Sequence, residues 1–457
     1  MMRFHRHLSL AIYFAMGALG ANPAAAQTSP ALALAREVER LARAGPLWPE
    51  YDPLIIPLAV YDGTRTFLFR HPAPPPGFTP LADARPAAFV FAGRHPALTS
   101  NSSADLGGTM TATVLADGAR GQQPPAELAA VALHEAFHVF QRREHPRWSG
   151  NEVDLMRYPI ADASLLALRR QESAALVRAL ASPNAEGAMC WAQRALGHRN
   201  DRFARLDSAF TNYERLSELN EGVATYVQLR ALNRRTVEIP AREFRPADVR
   251  LRTYASGPAL ALLLDRFSPG WQATLQRDDR NNLDAMLQGA LRNGSGAGCG
   301  FSASERADFE RTARSDSAAL VLGWTERQRA FDARPGWRVI VQAAGGQPLW
   351  PQNFDPLNLE RIAGGMLHTR WISLGNDAGQ VRVIDEAGVD LESVTEGIGP
   401  HPLFNGVRRV VIAGLPKPTV ETATARVVVR ATGLTLTFTN ATVRERGNEI
   451  VIELQRR

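Results

Sequence analysis

The stretch Leu133-His134-Glu135-Ala136-Phe137-His138-Val139-Phe140-Gln141 carries two histidines four residues apart, with a glutamate directly after the first. Leu128, Val131, Ala132, Val139 and Phe140 supply apolar positions around it, and Pro124-Pro125 stands where a first helical turn tolerates proline. The segment is therefore predicted to be helical. Residues four apart on a helix share a face one turn apart, so both imidazoles can reach a single ion. Neutral imidazole is a good zinc ligand, and a hydrolytic zinc site needs three protein ligands with a fourth position left for water. Glu135 adjoins the first ligand and is placed beside that water. A carboxylate there can take a proton as water attacks a carbonyl and pass it to a leaving amine.

The third ligand separates the alternatives. A metzincin needs glycine at position 141 and histidine at 144, but the chain has Gln141 and Glu144, His145 is one residue out of register, and Pro146 ends the helix. The other solution is a glutamate from a separate helix. Leu219-Asn220-Glu221-Gly222-Val223-Ala224-Thr225-Tyr226-Val227 supplies one in a helical context, with Leu216, Leu219, Val223 and Val227 as its apolar stripe and Gly222 allowing a close neighbour. An acid among apolar residues is costly unless paired or bound to a metal, which singles out Glu221. Glu152, Asp154, Glu214 and Glu218 are competing ligands. Glu218 shares a helix face with Glu221 and could instead brace a ligand histidine. Otherwise Glu214, Glu218 and the more distant Glu172 read as solvated helix faces.

His134-Glu135-x-x-His138 followed by Asn220-Glu221-Gly222-x-Ala224 resembles the gluzincin metallopeptidases, the group containing thermolysin and the zinc aminopeptidases. The Asn-Glu-Gly-x-Ala string is most similar to the aminopeptidase branch. The resemblance implies one zinc ion per chain held by His134, His138 and Glu221, with Glu135 as general base and a peptide or protein as substrate. It covers the motif helices, residues 120–270, and does not reach the C-terminal part. It also departs from the aminopeptidases in the much longer separation of His138 from Glu221. The insert holds a predicted helix over 162–182 and Cys190, so a differently built cleft is expected.

A peptidase also needs a donor for the oxyanion formed when water adds to the carbonyl. Related zinc enzymes use a tyrosine or histidine from a later segment. Tyr254, in Arg252-Thr253-Tyr254-Ala255-Ser256-Gly257, is the best placed, with Tyr226 and His145 behind it. Extended peptides bind by adding a strand to a sheet edge. Leu106–Val114 reads as one strand in which Gly107 and Gly108 let another backbone approach, and Gly107–Val114 could be such an edge, as its counterpart is in gluzincins, or an ordinary interior strand. His71, His95, His368 and His401 mostly neighbour proline or turn residues and read as surface or structural.

Outward from the motif, the texture changes twice. Residues 27–44 read as a short helix, followed by strands at Leu54–Val60, Arg65–Phe69 and Ala88–Phe91. Helical patterns then run through 162–182, 189–197, 202–232, 254–267 and 304–332. Beyond Gly336 short β-branched runs take over, at Trp337–Val341, His368–Leu374, Val381–Asp385, Val407–Ala413, Arg426–Ala431, Leu434–Thr439 and Glu449–Leu454. The expected fold class is α+β: a helical zincin-like catalytic core with a β-containing N-terminal region and a C-terminal all-β sandwich or barrel. The domain expectation is a signal peptide over 1–26, the N-terminal β-containing part of the catalytic region over 27–122, a helical zinc-binding domain over 123–335 and the β-rich domain over 336–457.

Composition narrows the class. The 457 residues are 45% hydrophobic and 21% charged without a long polar tract, which excludes a mostly disordered chain. The net charge is +6, but the basic residues are scattered and nearly all arginine, Lys417 being the only lysine, so no nucleic-acid partner is expected. Arg3, His5, Arg6 and His7, the apolar Leu8–Gly20 and Ala24-Ala25-Ala26 are the parts of a secretory signal peptide cleaved before Gln27. Its apolar run is shorter than the roughly 20 residues a span needs, so no stable membrane insertion is expected after cleavage. Export makes a disulfide between Cys190 and Cys299, the only two cysteines, the favoured reading over two separate buried thiols. The function expected is a secreted or periplasmic zinc metallopeptidase. The rivals are a zincin-fold binding or adhesion protein that no longer cleaves and a metal-dependent hydrolase of a non-peptide amide.

Overall fold

The computed structural model describes residues 29–455 except 119–122, 241–243, 293–297, 356–357, 385–389, 398, 400 and 424–425. The expected signal peptide and its cleavage point lie outside the described residues. The fold is α+β. Helix α1 (Pro30–Arg43) is followed by strands β1 (Leu58–Tyr61), β2 (Arg65–Phe69), β3 (Thr79–Leu81), β4 (Ala88–Ala92), β5 (Ser102–Leu106) and β6 (Thr109–Leu115). Helices α2 (Pro125–Glu144), α3 (Glu152–Arg157), α4 (Ala163–Ala181), α5 (Ala185–Phe203), α6 (Ser208–Ser217), α7 (Val223–Ala231), α8 (Val249–Phe267), α9 (Trp271–Arg277), α10 (Leu283–Ala290) and α11 (Ala303–Asp332) come next. The contacts fall into two units that interleave along the chain. Met1–Trp148, Leu219–Thr236 and Pro269–Asn281 form the first, and Ser149–Glu218, Val237–Ser268 and Asn282–Arg457 the second.

The first unit is built on a six-stranded sheet in the order β3-β4-β2-β1-β6-β5. β1 pairs parallel with β6 and the remaining neighbours are antiparallel. Helix α2 packs on β5, β6, α1 and α7. Twelve of its residues are buried, from Leu128 to Gln141, as expected of a helix that is apolar on most sides. Leu133, Phe137 and Phe140 face an aromatic cluster in which Trp48 meets Phe137, Trp148, Tyr226 and Trp271 edge-on at 5.4–6.4 Å, while the Tyr51 hydroxyl donates to the Leu133 carbonyl at 2.9 Å. The face carrying His134 and His138 lies about a third of a turn away.

Two strand expectations in this unit are corrected. Leu54–Val60 is a 3₁₀ turn at Pro53–Ile55, where the Asp52 carboxylate accepts from the Leu54 amide, and the strand starts only at Leu58, after Pro57. Leu106–Val114 is not one strand but the turn and return arm of a hairpin. Gly107 and Gly108, both at positive φ (62° and 84°), make the two-residue connection, as paired left-handed residues do in hairpins. They form the turn, and at Gly107 another backbone does come close, since a Cβ there would lie 3.7 Å from the Pro75 Cα and 3.8 Å from the Ala73 carbonyl oxygen. β6 is interior, between β1 and β5, so the free edge on this side belongs to β5.

The helical part of the second unit is organised by buried charge. Glu172 of α4 accepts from Arg199 and Arg202 of α5 and is paired with Arg252 of α8 at 2.9 Å. Arg202 also pairs with Glu214, and Arg199 donates to Glu218 at 2.8 Å, which accepts in addition from Ser256 at 2.6 Å. All of these charged groups are at most 2% exposed. The reading of Glu172, Glu214 and Glu218 as solvated faces is therefore wrong. Burial alone would raise the Glu172 carboxyl, yet Arg199, Arg252 and Arg202 hold it well below the usual carboxylate range. The same unit contains the expected disulfide, Cys190 to Cys299, across 109 residues. Closing a loop of that length restricts the unfolded chain by about 4–5 kcal/mol in the chain-entropy account.

Beyond α11 the chain is β-rich. A seven-stranded sheet and a six-stranded sheet enclose one apolar cluster that includes Val339, Val341, Val410 and Ile412 from the first and Leu374, Val381, Leu436 and Phe438 from the second. This is a sandwich, one of the two architectures expected. The run His368–Leu374 is corrected to two strands, Gly365–His368 and Ile372–Asn376, which belong to different sheets.

The surface alternative for the histidines is also corrected, since His71, His368 and His401 are all buried. His368 Nε2 meets Thr395 Oγ1 at 3.1 Å, whereas neither ring nitrogen of His401 has a partner among the described residues. Burial and the charge of His401 push His368 down to about 3, and burial with the charges of Arg361 and Arg157 pushes His401 down to about 4. A histidine kept neutral in the fold but protonated when unfolded costs stability as pH falls from about 6.5 toward its folded value. Denaturant unfolding of the second unit should therefore lose about 1.5 kcal/mol per histidine between pH 6.5 and pH 5. A His368→Gln/His401→Gln variant should show a shallower slope over that interval, and an equal slope would refute the account.

Candidate metal centre

The described residues contain one group of three side chains able to hold a metal ion: His134, His138 and Glu221. The histidines project from successive turns of α2. Glu221 lies in a π-helical turn, Glu218–Gly222, immediately before α7. The expected continuous helix over 202–232 is thus broken twice, by the residues after Phe203 and by this wider turn. Such turns recur at functional sites because they re-aim a side chain within a helix. The Thr225 hydroxyl donates to the Glu221 carbonyl at 2.8 Å and helps to hold the turn.

The donor atoms converge. His134 Nε2 and His138 Nε2 are 3.1 Å apart, and a Glu221 carboxylate oxygen lies 3.2 Å from His138 Nε2 and 3.9 Å from His134 Nε2. Ligands about 2.0–2.1 Å from a tetrahedral ion stand about 3.3 Å from one another, so these separations are those of three corners around one cation. Two imidazole nitrogens this close repel unless a proton or a cation lies between them. The donor set therefore fits a bound ion on its own geometry. His134 and Glu221 are 6% and 5% exposed, so an ion there is largely withdrawn from bulk water.

Electrostatics set the protonation states in the absence of a cation. Burial, reinforced by His138, pushes His134 down to about 3, which leaves its lone pair free at neutral pH. Burial pulls His138 the same way, but the Glu221 carboxylate, through its hydrogen bond and its charge, raises it overall. Glu135 is pushed up to about 7, chiefly by burial, with Glu221 adding to the rise and His138 opposing it. A carboxyl group held near neutrality is suited to taking and returning a proton.

Each histidine has an amide behind it. His138 Nδ1 is 2.8 Å from Gln141 Oε1, and the Gln141 amide donates to the carbonyls of Leu219 at 2.9 Å and Asn220 at 3.0 Å. The His134 ring is supported by the Ala224 carbonyl and the Gln228 side chain. Sequence reasoning considered Glu218 as the brace, but that carboxylate is committed to Arg199 and Ser256. Gln141 was legible only as a mismatch to the metzincin pattern. The available signal was its spacing, seven residues from His134 and three from His138, which places it on the ligand face of α2.

The other residues singled out are not among the three grouped donors. Tyr254 is on α8, in the second unit, and is partly buried. Tyr226 is fully buried, its hydroxyl taking hydrogen bonds from Gln272 at 2.7 Å and Arg230 at 3.1 Å. His145 caps α2, stacks on Trp148 at 4.0 Å and meets Gln276 at 2.9 Å. Both of these fallback donors are thus engaged in packing. Glu152 contacts Tyr213 and Arg250, and Glu214 pairs with Arg202, so neither belongs to the ligand group, nor does Asp154. Comparison of the chain with protein-family models, with curated proteins and with solved structures gives no match.

Proposed function

We propose that the chain is an exported zinc-dependent peptidase. The observation that carries this reading is the convergence of two imidazoles and one carboxylate on one point, with a buried fourth residue, Glu135, directly after the first ligand on the same helix. Two nitrogen donors and one oxygen donor suit zinc, which when bound supplies a Lewis acid and lowers the pKa of its water. His134, His138 and Glu221 hold the ion, and Glu135 receives a proton from the attacking water and delivers it to the departing amine. Tyr254 is the proposed oxyanion donor on its phenol chemistry and its place after the ligand helix in the resemblance.

The sheet supports a peptide substrate. β5 is the outermost strand, and Arg142 of α2 donates to Ser103 of β5 at 2.6 Å, so the free edge is anchored to the motif helix itself. An extended peptide can add to such an edge through its backbone. The disulfide supports export, because such bonds persist in oxidising compartments. No helix among the described residues is long and apolar enough to cross a membrane.

The test is metal analysis of purified protein followed by hydrolysis of a mixed peptide library. About one zinc per chain is expected, with cleavage abolished by a chelator and restored by zinc. Zinc without cleavage would favour a binding protein, and turnover confined to non-peptide amides would move the substrate class. A Tyr254→Phe enzyme with unchanged turnover would remove that residue from the scheme.

A further inference from the structure

We infer that Gln141 is a positioning residue that fixes the ring state of His138 from the backbone of the segment carrying Glu221. The inference rests on the metal-site reading above. It starts from a problem of registration. His138 and Glu221 are far apart in sequence, and something must align the α2 face with the turn that brings the carboxylate.

Gln141 is 3% exposed, and every polar atom of its amide is used. A primary amide has a fixed polarity: its NH₂ donates twice and its oxygen only accepts. The groups facing Nε2 are the carbonyls of Leu219 and Asn220, which can only accept. The NH₂ must therefore point at them, and this leaves Oε1 for His138 Nδ1. An acceptor at that place requires Nδ1 to carry the proton. In the neutral ring Nε2 then keeps the lone pair on the side of His134 and Glu221, as metal ligation demands. The orientation of the amide and the tautomer of the imidazole are thus dictated by two peptide carbonyls of the ligand-bearing turn. Because the link is a neutral amide, it leaves the imidazole a weaker donor than a carboxylate partner would, and more of the ion's charge remains for its open position.

The test uses the full chain and zinc. Gln141→Met keeps the length of the side chain and removes the donors and the acceptor. It is expected to weaken zinc binding about 10–100-fold in a chelator-competition titration. Nitrogen NMR of the zinc-loaded protein should show His138 ligating through Nε2 with a slowly exchanging Nδ1–H in the wild type and a fast-exchanging one in the variant. A folded methionine variant that binds zinc within twofold of wild type would overturn the inference alone. A wild type that binds no zinc would overturn the functional reading and this inference with it. Should the variant not fold, the zinc-loaded wild-type spectrum decides: a slowly exchanging His138 Nδ1–H supports the inference and a fast-exchanging one overturns it.

Discussion

Glu135→Gln is expected to lower peptide hydrolysis by at least 10²–10⁴-fold, the range attributed to a positioned general base, while zinc content stays at the wild-type level. Two features make the effect separable from metal loss. Glu135 is not one of the three grouped donors, so its replacement leaves the ligand set intact. Glutamine is also isosteric and neutral, and a carboxyl group raised by burial to about 7 already tolerates loss of charge at that place, so the fold should be little disturbed. By contrast, Glu221→Gln should lose metal and activity together. A Glu135→Gln protein with wild-type turnover would end the proposed mechanism, whatever metal it holds.

The second large effect is on stability. Glu172 is 1% exposed and faces three guanidinium groups, those of Arg199, Arg202 and Arg252. Removing one partner of a buried ionic cluster leaves the others uncompensated, at a cost of about 3–5 kcal/mol. Glu172→Gln should destabilise the second unit by that amount in denaturant unfolding, since the new amide turns donors or a weaker acceptor toward cations. A loss below about 1 kcal/mol would mean that the arginines are adequately served by Glu214, Glu218 and Ser173. The network contains no grouped metal ligand, so zinc affinity provides an internal control.

The motif helix and its ligands were legible because their signals are local. His134 and His138 announce a shared face through spacing alone. Glu221 stands out because an acid within an apolar stripe needs a reason. Glu172, Glu214 and Glu218 gave the opposite lesson. On a sequence they look like any charged helix face, and only the placement of Arg199, Arg202 and Arg252 on neighbouring helices turns them into an interior lattice. The hairpin at Gly107-Gly108 was misread for a related reason. The β-branched residues lie only after the glycines, so the arm before them, Ser102–Leu106, did not register as a strand although paired glycines are themselves a hairpin signal. His368 and His401 were missed as interior groups because neighbouring turn residues suggest a surface, whereas the sandwich covers them. The π-helical turn leaves no trace in residue periodicity over five positions.

One consequence of the interleaved units concerns synthesis. A nascent chain that has reached Trp148 already contains both histidines and the general base, yet the carboxylate that completes the set is seventy-odd residues away and the Trp271 segment of the aromatic cluster further still. The grouped donor set is therefore a late product of translation, completed only after the intervening helices have emerged. An unfinished or prematurely released polypeptide would carry the two histidines without the carboxylate that completes the group.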